Sequence, residues 1–579
     1  MSSFDRSKHR LQFNIDANVW MYKYRPQSAL YRPFGQRLTT RHIHRYVDVI
    51  ADGGIDTLTV NGHCTQFAYY PSKKVPTNLD GYKRGDRSFF YGHVLGSQMK
   101  PEQIETYLAE CVHMQDGYLD LVEAGVDWLA ETAKACRRRK VCPWVSIRMN
   151  DVHGATKYPQ ASFLNCELYK DPSMRLQRTT YNIPGFNYAK REVRDYVMAA
   201  IRDLVENYDY DGLQLEWNRQ PLCCEPGASQ AMNDTITEWH TEIRRLTERK
   251  SRRIGKHYAL GIRYFGSFDQ LRDIGLDFRE ITKQGIIDFI SPTNCWQSSW
   301  DIPCDELRRE LGPDVAIYGS VEFSPNYLHG WIPQQKKGNP NIGSSLATNY
   351  RLTPYSPPML RGNAAGKLVL GVDGIEVYNF PCADQTHHWP WEDEPGCAQY
   401  PALTRLNDLK FLRGKAKSYT LPTQTGYYTF PPYESMGPFP TVLGPGERRT
   451  CRLPMCAEPA NSKLEFVIQL VVEKKDKLPP VGVSLNGSWP RFDGITDERL
   501  LIPVASMTHH TPDHVGLNFT FPLNSIREGW NEIIVMNGTP KDFWADQSKD
   551  VVTVASLELA VRQRKSSLRR RQRSGTLPS

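Results

Sequence analysis

Eight short apolar runs, each followed by a longer stretch of helical spacing, occupy most of the first 417 residues of this 579-residue chain. They are Leu11 to Trp20, Thr57 to His63, Val141 to Asn150, Asp211 to Trp217, Tyr258 to Tyr264, Ile286 to Asn294, Ala316 to Phe323 and Gly371 to Phe380. Each is rich in β-branched or aliphatic residues and short enough to be a buried parallel strand. The stretches between them predict helices over Arg41 to Ala51, Glu102 to Arg138, Lys190 to Asn207, Met232 to Arg249, Phe268 to Lys283 and Cys304 to Leu311, with Leu403 to Leu412 closing the series. In Lys190 to Asn207, for example, Val193, Val197, Ile201 and Leu204 recur on one helical face. Such alternation restricts the chain to an α/β fold with parallel strands. No glycine-rich phosphate loop follows the first run, as an open dinucleotide-binding sheet would need, and eight units suit closure. The expected fold is therefore a (β/α)8 barrel over residues 1–417.

Beyond that point helical spacing stops. Short alternating runs take over, including Lys463 to Glu473, Gly482 to Leu485, Val515 to Phe521, Asn531 to Val535 and Val551 to Val561. Turn pairs such as Asn486-Gly487 and Asn537-Gly538 separate them. This pattern predicts an all-β sandwich over residues 418–562, entered through a Pro- and Gly-rich lead-in from Leu421 to Arg452. The formal net charge is +8, but Arg562 to Arg573 alone carries seven positive charges and no acid. The folded body is thus close to neutral, which argues against a nucleic-acid-binding face, and residues 563–579 read as a basic disordered tail. The start of the chain has no apolar signal core, and no run of about 18 apolar residues occurs, so a cytoplasmic protein without membrane contact is expected. The thirteen cysteines form no CxxC pair, which suits reduced thiols.

Strand parity then selects side chains. In the fourth run Leu213, Leu215 and Trp217 share the helix-facing side, while Gln214 and Glu216 point to the barrel axis. In the seventh, Tyr318, Ser320 and Glu322 point inward; in the eighth, Glu376 and Tyr378 do. The same parity places Asp16, Trp20, Asn61, His63, Arg148, Asn150, Arg263 and Asn294 inward. A purely structural barrel core would carry Val, Ile and Leu at these places, and catalytic groups of such barrels lie at the carboxyl ends of strands. Two carboxyl groups at the ends of strands four and seven are what glycosidic bond cleavage uses, one protonated and one ionised. Glu216 and Glu322 are the candidate catalytic pair. Arg148, Arg219 and Arg263 could hold one of them ionised, and His63, Asn150 and Asn294 could bind sugar hydroxyls. Trp20, Trp296, Trp300 and Tyr378 offer flat faces for a sugar ring. Asp151 and Glu376 are further carboxylates within reach.

These residues resemble a family of glycoside-hydrolase-like (β/α)8 barrel proteins. The resemblance rests on the fourth-run pattern Tyr210-Asp-Gly-Leu-Gln-Leu-Glu-Trp-Asn-Arg219, on Arg148-Met-Asn-Asp151 with His153, and on Glu322, and covers residues 10 to 415. It implies a retaining glycosidase with Glu216 as acid/base and Glu322 as nucleophile, acting on a carbohydrate without cofactor or metal. Leu215 stands where that superfamily has Asn. Other barrel glycosidases carry the nucleophile on strand four, which would make Glu216 the nucleophile and leave the acid to Glu322 or Glu376. Retention or inversion is open at this point, since it follows the carboxyl separation. Two other readings stand beside this one. One is a carbohydrate-binding protein without activity; the other is a metal-dependent barrel hydrolase or isomerase, which would draw on His63, Asp151 and His153.

Overall fold

The computed structural model describes residues 3–16, 32–64, 66–95, 99–151, 159–177, 184–218, 222–264, 266–294, 297–322, 324–325, 355–380, 398–421, 437–461, 463–501, 509–510, 512–538 and 550–564. The eight apolar runs form eight strands: β1 (Leu11–Ile15), β2 (Thr57–Cys64), β3 (Cys142–Arg148), β4 (Gly212–Glu216), β5 (Ala259–Tyr264), β6 (Phe289–Pro292), β7 (Ala316–Val321) and β8 (Gly374–Tyr378). Each pairs in parallel with the next, and β8 pairs with β1, so the sheet closes on itself as a (β/α)8 barrel. Closure leaves no edge strand, and the helices cover the outer face.

Most helices follow their spacing, with breaks where glycine and a cap allow them, but of the stretch Leu403 to Leu412 only the single turn Leu409–Leu412 is α-helical. The long stretch from Glu102 divides into α1 (Pro101–Glu123) and α2 (Trp128–Arg138), with Thr40–Ala51 forming its own helix before β2. Gly125 adopts φ +69 at the division, and the Asp127 carboxylate accepts from the N–H groups of Leu129 and Ala130. Gly275 (φ +90) and the Asp277 cap split the stretch after β5 in the same way. Among the described residues, one helix longer than a single turn was not foreseen. This helix, α3 (Pro357–Val369), connects β7 to β8 and is buried on several sides, through Met359, Leu360, Gly362, Ala364, Ala365 and Lys367. Its glycines and its weak amphipathic pattern hide it from periodicity.

The carboxyl-terminal part forms two antiparallel sheets. The larger contains Lys417–Thr420, Thr441–Leu443, Leu464–Glu473, Arg491–Thr496, His514–Phe521 and Val552–Gln563. The smaller contains Arg448–Met455, Val481–Leu485 and Gly529–Asn537. One of these strands, Thr441–Leu443, lies in the segment read as a lead-in, and a second, Arg448–Met455, begins in it. The basic tail lies almost wholly outside the described residues. No helix among the described residues is long and apolar enough to cross a membrane.

The sandwich packs on the barrel through α3. A Cβ at Gly362 would lie 1.9 Å from the Ser418 carbonyl oxygen, and one at Gly366 would lie 2.7 Å from that of Pro454. Only glycine admits this approach. The Trp300 indole N–H donates to the Ser418 carbonyl at 3.2 Å, and Arg361 donates to that of Ala416 at 2.7 Å.

The barrel interior changes character along its axis. At the amino-terminal end Trp144, Phe289 and Tyr318 fill it, with Phe4 entering from outside the strands. Trp144 and Phe289 stack at 4.7 Å. Room for these rings comes from Gly261, whose Cβ would lie 2.2 Å from the Phe289 ring, and from Gly212, beside the Trp144 indole. Above this floor come Asn14, Ser146, Gln214, Ser291 and Ser320, and then the charged residues of the upper end.

Candidate active site

Register brings the charges together. Arg148 on β3 stands beside Glu216 on β4, which stands beside Arg263 on β5. Three neighbouring strands thus present cation, anion and cation at one level. Glu322 follows directly after β7, and Glu376 and Tyr378 belong to β8. All six side chains are buried.

Arg263 is the hub. Its Nη1 lies 3.4 Å from Glu216 Oε1 and its Nε 2.8 Å from Glu376 Oε1, and its Nη2 donates to Glu322 Oε1. The guanidinium also lies over the Tyr378 ring, 4.0 Å from its centroid. Burial opposes this charge, but Glu322, Glu216 and Glu376 outweigh it and raise its pKa further. Arg148 forms a second centre. It donates to Asp151 Oδ2 at 2.7 Å, to the Tyr378 hydroxyl at 2.6 Å and to Asp16 Oδ1, with its Nε 3.8 Å from Glu216 Oε1. Asp16 is held in turn by the Tyr378 hydroxyl and by Asn379, whose Nδ2 donates to Asp16 Oδ2 at 2.9 Å. Asn379 adopts φ +49, a left-handed conformation that asparagine takes more readily than most other non-glycine residues.

The carboxyl groups differ in their settings. Glu376 is enclosed by the Gln214 amide at 2.6 Å and the Ser291 hydroxyl at 2.9 Å as well as by Arg263. Glu216 faces two guanidiniums. Glu322 receives Arg263 and the Thr293 hydroxyl on one oxygen, while its Oε2 is buried without a hydrogen-bond partner among the described residues. Burial pushes its carboxyl up to about 8; Arg263 and Thr293 oppose this, and the like charges of Glu216 and Glu376 add to it. Charge counting leads the same way. Among the described residues, Asp16, Asp151, Glu216, Glu322 and Glu376 face two guanidiniums, so a buried cluster of this kind is stable only with protons on some carboxyls.

Other sequence-selected residues fall in different places. Asp151 is buried and bound to Arg148 because the chain turns after β3, bringing inward a residue whose strand parity points outward. A bulge between Asn61 and His63 shifts the register of β2, so His63 pairs with Ile147, and Cys64 stands opposite Arg148. The inward parity read for His63 therefore fails. Its ring is buried with neither nitrogen hydrogen-bonded among the described residues, and burial lowers its pKa to about 3. Asn150 is committed to loop backbone: it donates to the Leu222 carbonyl at 2.8 Å and accepts from the Phe186 N–H at 2.8 Å. Asn294 donates to the Ser299 hydroxyl. Trp300 is buried and turned to the sandwich, so its ring face is not offered to the barrel mouth. Trp20, Arg219, Trp296 and His153 lie outside the described residues. Asp16 had the correct parity but was not selected, and Thr293 and Ser298 carry no sequence signal beyond proximity to a strand end. Among the described residues, no group of three or more His, Cys, Asp or Glu side chains is arranged to hold a metal ion.

No protein-family model matches the chain, and no curated protein matches it. Solved structures give distant likenesses. α-L-fucosidase isoenzyme 2 from Paenibacillus thiaminolyticus is 13% identical over 71% of this chain and 51% of its own, with a TM-score of 0.36. A GH138 enzyme targeting pectin rhamnogalacturonan II is 11% identical over 69% and 39%, with a TM-score of 0.35. An α-L-fucosidase GH29 from Bacteroides thetaiotaomicron is 11% identical over 88% and 93%, with a TM-score of 0.34. The chain spans about half the length of the first and less of the second. At these scores the likenesses carry no argument, and the barrel rests on its own strand register.

Proposed function

We propose that the chain is a glycoside hydrolase in which Glu322 is the proton donor and Glu216 the working carboxylate. The observation that carries this reading is the contrast between the two groups. Glu322 is buried, is pushed up to about 8, and so holds its proton at neutral pH. Glu216 stands between Arg148 and Arg263, a setting for an anion. Two carboxyl groups in settings this different can divide acid from base. In the retaining form of the reaction, Glu322 gives its proton to the glycosidic oxygen as the bond to the anomeric carbon breaks. Glu216 attacks that carbon. Water then displaces Glu216, and its proton returns to Glu322. This assigns the roles in the reverse of the order that the four/seven resemblance implies, and agrees with barrels that carry the nucleophile on strand four.

One observation favours a second reading, a binding protein without activity. Arg263 contacts Glu216, Glu322 and Glu376 at once, as a purely structural ion cluster would. A panel of aryl glycosides assayed with wild type, E216Q and E322Q decides between them. Release by wild type and loss in both variants supports hydrolysis; sugar binding without release by any of the three supports the second reading.

A further inference from the structure

We propose that Lys367, on the helix between barrel and sandwich, positions the Glu322 carboxyl through the backbone of Ser298 and Ser299. The inference rests on the hydrolase reading of Glu322 and adds a residue to it.

Lys367 is fully buried on α3. Its Nζ donates to the Ser299 carbonyl at 2.8 Å and to Asn363 Oδ1. One residue earlier, Ser298 Oγ accepts from the Glu322 N–H at 2.7 Å and donates to the Glu322 carbonyl at 3.2 Å. The ammonium therefore holds the backbone one residue away from the Ser298 hydroxyl, which grips both the N–H and the carbonyl of Glu322. Asn294 holds the same segment through the Ser299 hydroxyl, and Trp300 anchors it to Ser418 of the sandwich. The lysine stem crosses the outer face of β7 at Gly319, where a Cβ would lie 2.7 Å from Lys367 Cδ. Strand, helix and segment are thus built to admit this side chain.

A purely structural filler at this place would be better made of carbon, because an ammonium held by neutral oxygens is costly to bury. Burial lowers the Lys367 pKa to about 8, against Cys304, Asp301 and Glu322, the groups that face it. Glu322 for its part faces Arg263, Glu216 and Glu376 inside the barrel and Tyr355 beyond it. Lys367 is the cation that reaches Glu322 from the helix side of β7 among the described residues.

Two variants test the assignment. K367M keeps the volume and removes the ammonium. S298A leaves the lysine in place and cuts the link. On an aryl glycoside that wild type cleaves, each should lower kcat about 10- to 100-fold with little change in KM. K367Q, which can still donate to Ser299, should recover part of the loss. In K367M the alkaline limb of the rate profile should also move up, because a cation near the acid has gone. Infrared spectra supply a readout independent of turnover. The protonated-carboxyl band lost in E322Q should titrate at higher pH in K367M and change position in S298A. If wild type cleaves nothing while this band shifts as stated, the hydrolase reading fails and the positioning role stands. If K367M does not fold, S298A is judged alone by rate and band. Wild-type kcat together with an unmoved band in the folded variants overturns the proposal.

Discussion

The two ends of the barrel interior are made by the same eight strands and could hardly differ more. At the amino-terminal end Trp144, Phe289 and Tyr318 pack ring against ring, with glycines at positions 212 and 261 giving them space. At the carboxyl-terminal end Glu216, Glu322 and Glu376 all contact Arg263, with none of the four side chains exposed. Stability is gathered at one end by dispersion and burial. At the other the fold tolerates a cluster that stability alone would not select. The division separates what the fold needs from what the chemistry needs.

The largest expected difference between the ends is in rate. E216Q and E322Q should each lower kcat/KM by about 10²- to 10⁴-fold while staying folded at neutral pH, as circular dichroism would report. An unchanged rate in the folded variants would break the comparison at its functional end. Next come the hubs. R263M strands three carboxyl groups and should cost about 3–5 kcal/mol in urea denaturation, a loss that deepens at alkaline pH. W144A should cost a similar ~3–5 kcal/mol through a cavity, but with no dependence on pH. A pH-independent loss in R263M would erase the distinction. A smaller effect is expected from G261A, whose methyl group meets the Phe289 ring. It should cost about 1–3 kcal/mol and leave kcat of the folded fraction unchanged.

The gentlest test is a slope. Glu322 is raised from 4.5 to about 8 in the folded state, so its protonation stabilises the fold fully below pH 4.5. That contribution fades as the pH climbs through 8, by at most about 1.4 kcal/mol per pH unit. Unfolding of wild type and E322Q followed between pH 5 and 9 should show the gap closing or reversing with rising pH. A constant gap would remove Glu322 as the proton holder. The activity profile of wild type should fall on its alkaline side near the same pH.

Much of the barrel was legible because parallel strands buried on both faces must be apolar on one parity and distinctive on the other. That regularity located Glu216, Arg263, Glu322 and Glu376 before any coordinates. It failed where the backbone leaves the regular strand. The bulge at Gly62 exchanged His63 for Cys64, and the turn after Arg148 carried Asp151 inward against its parity. Asn150 went to loop backbone instead of the barrel axis, because residues past a strand end are governed by the next segment. Helix α3 escaped for a different reason. Periodicity detects a helix with one wet face, and α3 has a barrel on one side and a sandwich on the other. Lys367 was hidden with it.

The glycines of that helix bear on how the molecule comes apart. At Gly362 and Gly366 the carbonyls of Ser418 and Pro454 lie directly against helix backbone, with no side chain between. Such a seam has no layer that could be rearranged to cover it once the sandwich is gone. Cutting the chain after β8 would uncover α3, and α3 is the link between the last two barrel strands. The two parts are therefore expected to unfold together, as a single peak in calorimetry, and the barrel has no independent existence to which a shortened chain could retreat.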